Sequence, residues 1–288
     1  MPRVPIDDLD DPRIGVYRQL KATNLTRGDD RFVVEGEKLL DRLLDSPFPL
    51  ASVLATDRNA DRIAAKVPAD VPLYVVGQAT ISALVGFNFH QGVLASGQRR
   101  PWPGFDEIVE RAGPRLTLIV CPKLDNPENL GAIVRIADVF GVAAVVVGER
   151  CPDPLSRRVL RVSMGTALRL PVIASADLPR DLIRLRERWG VSLFATVTDP
   201  IAEPLTDVRR PDRLAILFGS EANGLDPAST ARCDRVLTIP MRPGAESLNV
   251  AVAAGIVVHQ LMQESSFETL LTSGRLDKGG DTGHRGKE

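Results

Sequence analysis

The sequence predicts an α/β protein: a small α/β unit followed by a larger one built on a mostly parallel sheet with helices on both faces. Two observations carry this. Apolar runs at RLTLIVC (115–121), VAAVVVGE (142–149), PVIAS, VSLFATV, LAILFG and RVLTIP recur with helical segments between them, and near-continuous apolar strands alternating with helices mark strands buried on both faces. Upstream, LASVLAT (50–56), VPLYVVG (71–77) and GVLASG (92–97) repeat the pattern on a smaller scale. The chain has 288 residues, 44% hydrophobic and 25% charged, enough for one large or two modest domains with a real core.

In chain order, RFVVEGEKLLDRLLDS puts Val33, Val34, Leu39, Leu40, Leu43 and Leu44 at helical spacing, predicting a helix. The stretch 99–114, RRPWPGFDEIVERAGP, concentrates Pro, Gly and charge and predicts a linker with one turn of helix, Trp102 packing it down. The organisation expected is therefore an N-terminal α/β unit at 1–98, the linker at 99–114, a sheet unit at 115–266 and a polar, Gly-rich disordered tail at 267–288 that includes His284. The N-terminus carries no apolar core after its charges, and the apolar stretch Leu248 to Val258 is interrupted by Asn249 and Gly255 and too short to span a bilayer. A secretory signal and a membrane anchor are not expected, and the cytoplasm is the expected compartment. Cys121, Cys151 and Cys233 form no C-x-x-C spacing with the three histidines, so neither a disulfide framework nor a metal site is expected, and the thiols read as packing residues.

The net charge is -1, which by itself argues against a nucleic-acid partner, because affinity for phosphate comes from Lys and Arg displacing counterions. Charge is unevenly spread, however. Between Arg150 and Arg188 arginines outnumber acids, making this stretch either an anion-binding surface or a solvated helix face.

In parallel sheets ligands sit at the carboxyl ends of strands, so the turns after the strands carry most information. In CPKLDNPENLGAIVRIADVFGV, Asn126 fits an N-cap and Pro127 the first helical position, with Asn129 in the first turn. Free N–H groups and a positive dipole end there suit an anion. Gly131 and Arg135 lie four apart; Gly131 either clears space for a ligand below Arg135 or lets helices pack closely, and Arg135 either meets that ligand or pairs with Asp138. In RLAILFGSEANGLDP, Gly219 and Gly224 match the outer glycines of a phosphate loop, but Leu225 and Asp226 stand where Lys and Ser/Thr are required, which disfavours a nucleotide triphosphatase. Glu221 either works there or ties the loop together. In RVLTIPMRPGAESLNVAVAAGIVVHQL, Ser247 is placed to cap a helix apolar nearly all round, with His259 read as a core or interface histidine. Neither G-x-G-x-x-G nor G-x-S-x-G occurs, so a conventional dinucleotide site and a serine hydrolase lack their signatures.

Together the three turns resemble the TrmH (SpoU) family of RNA 2'-O-ribose methyltransferases in the SPOUT class. The blocks match in order: N-x-G-x-x-x-R as Asn129, Gly131 and Arg135; G-x-E-x-x-G-L as Gly219, Glu221, Gly224 and Leu225; then I-P-M and S-L-N as Ile239, Pro240, Met241, Ser247, Leu248 and Asn249. RVSMGTALRLPV (161–172) also looks like the family, and FVVEG (32–36) with HQGVLA (90–95) resembles its small RNA-binding domain. Departures are Asn126 where Asp is common and Ala222-Asn223 where a Gly often follows the Glu.

The resemblance implies a C-terminal parallel-sheet domain tied in a trefoil knot, an exception to unthreaded topology, and a homodimer that buries the C-terminal helix. It implies S-adenosylmethionine (SAM) as cofactor, lined by Phe218, Gly219, Ile239, Met241, Ser247 and Leu248, and methyl transfer to a ribose 2'-OH of structured RNA, rRNA or tRNA. Asn129, Arg135, Glu221, Ser247 and Asn249 are the implied catalytic set. Arg135, cationic at neutral pH, suits a fork on the RNA phosphate beside the target ribose better than a base. Candidate RNA contacts are His90, for which a structural role competes, and Arg157, Arg158 and Arg161. Two rival readings are a knotted methyltransferase acting on an RNA base and a non-catalytic RNA-binding or assembly protein; retention of the catalytic set disfavours the second.

Overall fold

The computed structural model describes residues 3–18, 20, 30–102 and 104–272, with the backbone alone for 264–272. The tail from 273, with His284, lies outside the described residues. The first elements are β1 (Arg3–Pro5), a 3-10 turn at Pro12–Tyr17, β2 (Arg31–Glu35), α1 (Glu37–Leu44), β3 (Leu50–Thr56), α2 (Asp57–Ala64), β4 (Leu73–Val76), α3 (Gln78–Val85) and β5 (Val93–Gln98). They form one sheet in the order β1-β4-β3-β5-β2, with β2 and β3 antiparallel to β5 and the other pairs parallel. The helix predicted across 31–46 is corrected at its start. Residues Arg31–Glu35 are a strand because Val33 and Val34 pair with Ser96 and Ala95, and Gly36 at φ 84° turns the chain into α1, a conformation that disfavours any side chain.

The second half holds α4 (Phe105–Arg111), β6 (Leu116–Lys123), α5 (Pro127–Val139), β7 (Ala144–Arg150), α6 (Arg157–Val162), β8 (Val172–Ala174), α7 (Leu178–Trp189), β9 (Ser192–Val197), β10 (Glu203–Pro204), β11 (Arg213–Leu217), α8 (Pro227–Thr230), β12 (Arg235–Thr238) and α9 (Val250–Thr272). Its seven strands run in the order β10-β12-β9-β11-β6-β7-β8, every pair parallel. Alternation along β6 separates the two faces: Leu116, Leu118 and Val120 join α4 and α7, while Ile119 and Cys121 join α5 and α9. Two expected boundaries shift. The linker contains a full helix, α4, whose Phe105, Ile108 and Val109 pack on the large sheet, and α9 runs past 266 to Thr272.

Packing joins the two sheets. One apolar cluster extends from Phe32, Leu40 and Ala95 through Val134, Leu160 and Leu168 to Leu237 and Val258, and burial on this scale is the main stabilising term. Trp102 sits edge-on to Phe48 at 5.1 Å and so pins the linker, as its sequence position predicts. Two ion pairs cross between the halves: Arg99 with Asp153 at 2.5 and 3.1 Å, and Arg157 with the buried Glu35. The Arg157 guanidinium also lies 5.0 Å from the Phe87 ring centroid. None of the three cysteines is disulfide-bonded: Cys121 and Cys151 are buried, the Cys151 thiol donating to the Cys121 carbonyl oxygen at 3.1 Å, and Cys233 is half-buried. No described helix is long and apolar enough to cross a membrane.

Candidate active site

The carboxyl ends of β9, β11 and β12 converge on one cavity of about 680 Å³, within the usual range for a small-molecule site, and the β6–α5 junction is hydrogen-bonded to its lining residues Glu221 and Asn249. The second and third blocks line it and the first, whose Asn129 is not among the lining residues, is tied to them, each by a local device. After β6, Asn126 caps α5 by accepting from the Glu128 N–H at 2.8 Å, and Pro127 follows without a donor to waste. This sets Asn129 one turn in, 8% exposed. After β11, Ser220 and Gly224 exchange backbone hydrogen bonds at 2.9 and 3.0 Å, closing a tight loop. Gly219 must be glycine there, because a Cβ would collide with the backbone of Gly224 and Leu225. After β12, the loop carrying Ile239, Met241, Ser247 and Leu248 leads into α9.

That last junction differs from expectation. Ser247 does not cap α9; Asn249 does, its Oδ1 accepting from the N–H groups of Ala251 at 2.9 Å and Val252 at 3.3 Å. The reason is position: α9 begins at Val250, so the residue immediately before it has the cap geometry. Ser247 is exposed in the loop and lines the cavity with its hydroxyl uncommitted.

The three blocks are wired together by side chains far apart in sequence. Asn249 Nδ2 donates to Asn129 Oδ1 at 3.0 Å, Asn129 Nδ2 donates to Glu221 Oε1 at 2.5 Å, and the Asp125 N–H donates to Glu221 Oε2 at 3.1 Å. Desolvation pushes the Glu221 carboxyl up, but the Asn129 amide and the backbone N–H groups of Glu221, Asp125 and Asn126 outweigh it and hold the group below its ordinary value. Glu221 is therefore an engaged carboxylate that orders two loops, and with both oxygens occupied it is a poor proton acceptor at neutral pH.

Phe218, Gly219, Ile239, Met241, Ser247 and Leu248 all line the cavity, as do Glu221 and Asn249. Sequence reasoning missed the wall formed by Thr196 to Asp199 at the end of β9. The strand itself was legible, and a polar run at its carboxyl end was the available signal. The lining combines apolar side chains with two carboxylates, Asp199 and Glu221, and no Lys, Arg or His of the described residues belongs to it. Such a wall repels phosphates and suits a nucleoside bearing a positive charge.

Arg135 stands apart from the cavity on the outer side of α5. It is exposed and carries no ion pair among the described residues. The Asp138 pairing weighed for it does not form, because Asp138 is held by Arg169. Gly131 is a packing glycine: an added Cβ would sit 2.9 Å from Val162 Cβ and 3.0 Å from the Val159 carbonyl oxygen, so closeness of α5 and α6, and not ligand clearance, explains it. The RNA candidates divide. His90 and Arg161 are exposed, Arg158 pairs with Glu128 at 2.9 Å, and Arg157 is corrected from a phosphate contact to a partner of Glu35 between the two halves. His259, on the outer side of α9, is exposed, 5.6 Å from the Phe140 ring and 2.9 Å from Gln263.

Residues 117–259, the span holding all three blocks and the cavity, match the SpoU rRNA Methylase family. The full chain is also 35% identical over 262 residues, 88% of this chain and 89% of the relative, to a protein of Mycobacterium bovis named uncharacterized tRNA/rRNA methyltransferase. The chain belongs to the SpoU family. A second SpoU-like relative, the 23S rRNA (guanosine-2'-O-)-methyltransferase RlmB of Acinetobacter baylyi, is 30% identical over 68% of this chain and 80% of its own length. In fold, this SpoU chain is similar to the crystal structure of an AdoMet-bound rRNA methyltransferase from Sinorhizobium meliloti, with a TM-score of 0.76 and 23% identity over 91% of this chain and 98% of the other.

Proposed function

We propose that this chain transfers a methyl group from SAM to a ribose 2'-OH of structured RNA, rRNA or tRNA. The observation that carries the reading is the Asn249–Asn129–Glu221 hydrogen-bond chain beside a cavity whose charged lining groups, among the described residues, are both carboxylates, in a SpoU-family protein. When bound, SAM supplies an electrophilic methyl group on a sulfonium cation. The apolar wall formed by Phe218, Ile239, Met241 and Leu248 accommodates the uncharged parts of such a ligand, and the acidic lining tolerates its cationic part. The RlmB relative, named for guanosine 2'-O-methylation of 23S rRNA, supports the same acceptor chemistry.

Each catalytic candidate then has a defined task. Asn129, fixed at both ends of its amide, retains one N–H with which to orient the acceptor ribose. Glu221 and Asn249 are positioning residues for Asn129. Ser247 presents a free hydroxyl to the cavity. Arg135, always protonated and without a side-chain partner among the described residues, grips the phosphate next to the acceptor. We read residues 1–98 as the RNA-binding unit joined by 99–114, and 115–266 as the knotted SAM-binding unit. Homodimerisation belongs to the same reading: Val252, Ile256 and, nearby on α5, Val139 leave apolar surface at 52, 39 and 69% exposure that a second copy would cover.

Purified protein incubated with labelled SAM and separate unmodified rRNA and tRNA pools, followed by nucleoside mass spectrometry, tests the reading. An alkali-resistant 2'-O-methylnucleoside in one pool is the expected result. A methylated base, or SAM binding without transfer to either pool, would overturn it.

A further inference from the structure

Charge pairing on the surface where α1, α5 and α6 meet is uneven. Four acids there are ion-paired, Glu37 with Arg62 and Lys66, Asp41 with Lys66, Glu128 with Arg158 and Asp138 with Arg169, while Asp45 at the end of α1 is exposed and carries no ion pair among the described residues. What remains is predominantly cationic, since the side chains of Lys38, Arg42, Arg135 and Arg161 are exposed and carry no ion pair or hydrogen bond among the described residues. These four come from both halves of the chain and gather around one turn. Lys38 and Arg42 are one helical turn apart on α1, and the Arg42 stem lies 3.1 Å from where a Cβ on Gly165 would stand. Arg161 accepts the Met164 N–H at 3.1 Å through its carbonyl oxygen. Arg135 lies one turn beyond Gly131, which rests on α6 at Val162.

The turn itself is unusual. Met164 has φ 54° and is followed by Gly165 at φ 79°, and Met164 is the one described non-glycine residue in the left-handed region. A long side chain is costly in that conformation, yet Met164 stays 47% exposed, so packing does not repay the cost. A polarizable thioether held out in solvent, on a turn whose adjoining helices carry unpaired cations, matches a nucleobase flanked by phosphates.

We propose that Met164 is a nucleobase-stacking residue and that Lys38, Arg42 and Arg161 hold the flanking phosphates, continuing the RNA path from Arg135 onto the N-terminal unit. The proposal rests on the RNA-methyltransferase reading and adds the surface that positions the substrate. It also explains why the two halves are locked by Glu35–Arg157 and Arg99–Asp153: a phosphate path that crosses between them needs a fixed spacing.

The test uses the full chain, unmodified rRNA and tRNA transcripts, and three measurements: SAM affinity by calorimetry, RNA affinity over a salt series, and thermal stability. Met164→Gly is expected to keep or raise the melting temperature, because glycine relieves the backbone, while weakening RNA binding about two- to ten-fold. A purely structural role for Met164 would not give that split. Lys38→Gln with Arg42→Gln is expected to lower the salt slope by about 2 with SAM affinity unchanged. RNA affinity and slope equal to wild type in both variants would overturn the proposal alone. A wild-type protein that binds SAM but neither RNA would overturn it together with the functional reading beneath it.

Discussion

Asn249 uses both ends of its side-chain amide: Nδ2 donates to Asn129 Oδ1 at 3.0 Å, and Oδ1 caps α9 through Ala251 at 2.9 Å. One residue thus fixes the start of the last helix and the orientation of an amide on a different helix. Because Asn129 passes the constraint to Glu221, the start of α5 and the loops after β11 and β12 hold a single relative geometry. Preorganised polar groups of this kind lose little on substrate binding.

Glu221→Gln removes the charge while keeping the shape. Its amide would have to present either a second donor to Asn129 or a donor to the Asp125 N–H, leaving one polar group unsatisfied, a loss of about 1 to 3 kcal/mol. Turnover is expected to fall about ten- to hundred-fold. The pH dependence follows from the lowered carboxyl value. A group held below its ordinary value of 4.5 contributes stability that is present above that value and lost as pH falls through the lowered one. The melting-temperature advantage of wild type over Glu221→Gln is thus expected at pH 7 and should vanish in strong acid; an advantage that grows on acidification would contradict the assignment.

Arg135→Ala should separate binding from chemistry. The residue does not line the cavity and pairs with no acid among the described residues, so calorimetry is expected to find SAM affinity within a few-fold of wild type. Single-turnover methyl transfer should drop about 100-fold or more. Retained turnover would remove Arg135 from the mechanism.

Gly131→Ala probes the α5–α6 contact. Overpacking costs about 1 to 3 kcal/mol, offset by about 1 kcal/mol of better helix propensity. Denaturant titration is expected to find a net loss of about 1 kcal/mol, with no gain in ligand affinity.

Glu35→Ala leaves the Arg157 guanidinium between the two halves without its carboxylate. Breaking a buried pair costs about 3 to 5 kcal/mol, and the low end is expected because the Arg157 side chain is 26% exposed. The paired change Glu35→Gln with Arg157→Met should cost less than Glu35→Ala, since no charge is stranded. Equal losses would mean the ion pair contributes nothing specific.

Much of this architecture is written in short-range pattern. The apolar runs give the strands, Asn126 and Pro127 give the start of α5, and Trp102 announces its own packing role. Where local pattern failed, a tertiary partner decided. Val33 and Val34 fit a helical stripe, but pairing with β5 drew them into a strand. Ser247 has the chemistry of a cap, but Asn249 stands next to the first turn and satisfies it.

Residue types at fixed spacing therefore sufficed for the parallel α/β class, the three loops and the chemistry each could hold, because strand burial, capping and glycine requirements act over a few residues. Folding alone decided which side chains meet: Asn129 with Glu221 across 92 residues, Asn249 with Asn129 across 120, and Glu35 with Arg157 across 122. Such contacts depend on strand order and helix packing, which no local periodicity encodes. The same packing committed Arg157 to Glu35 and left Arg161 and Arg135 uncommitted, although all three are arginines on neighbouring helices.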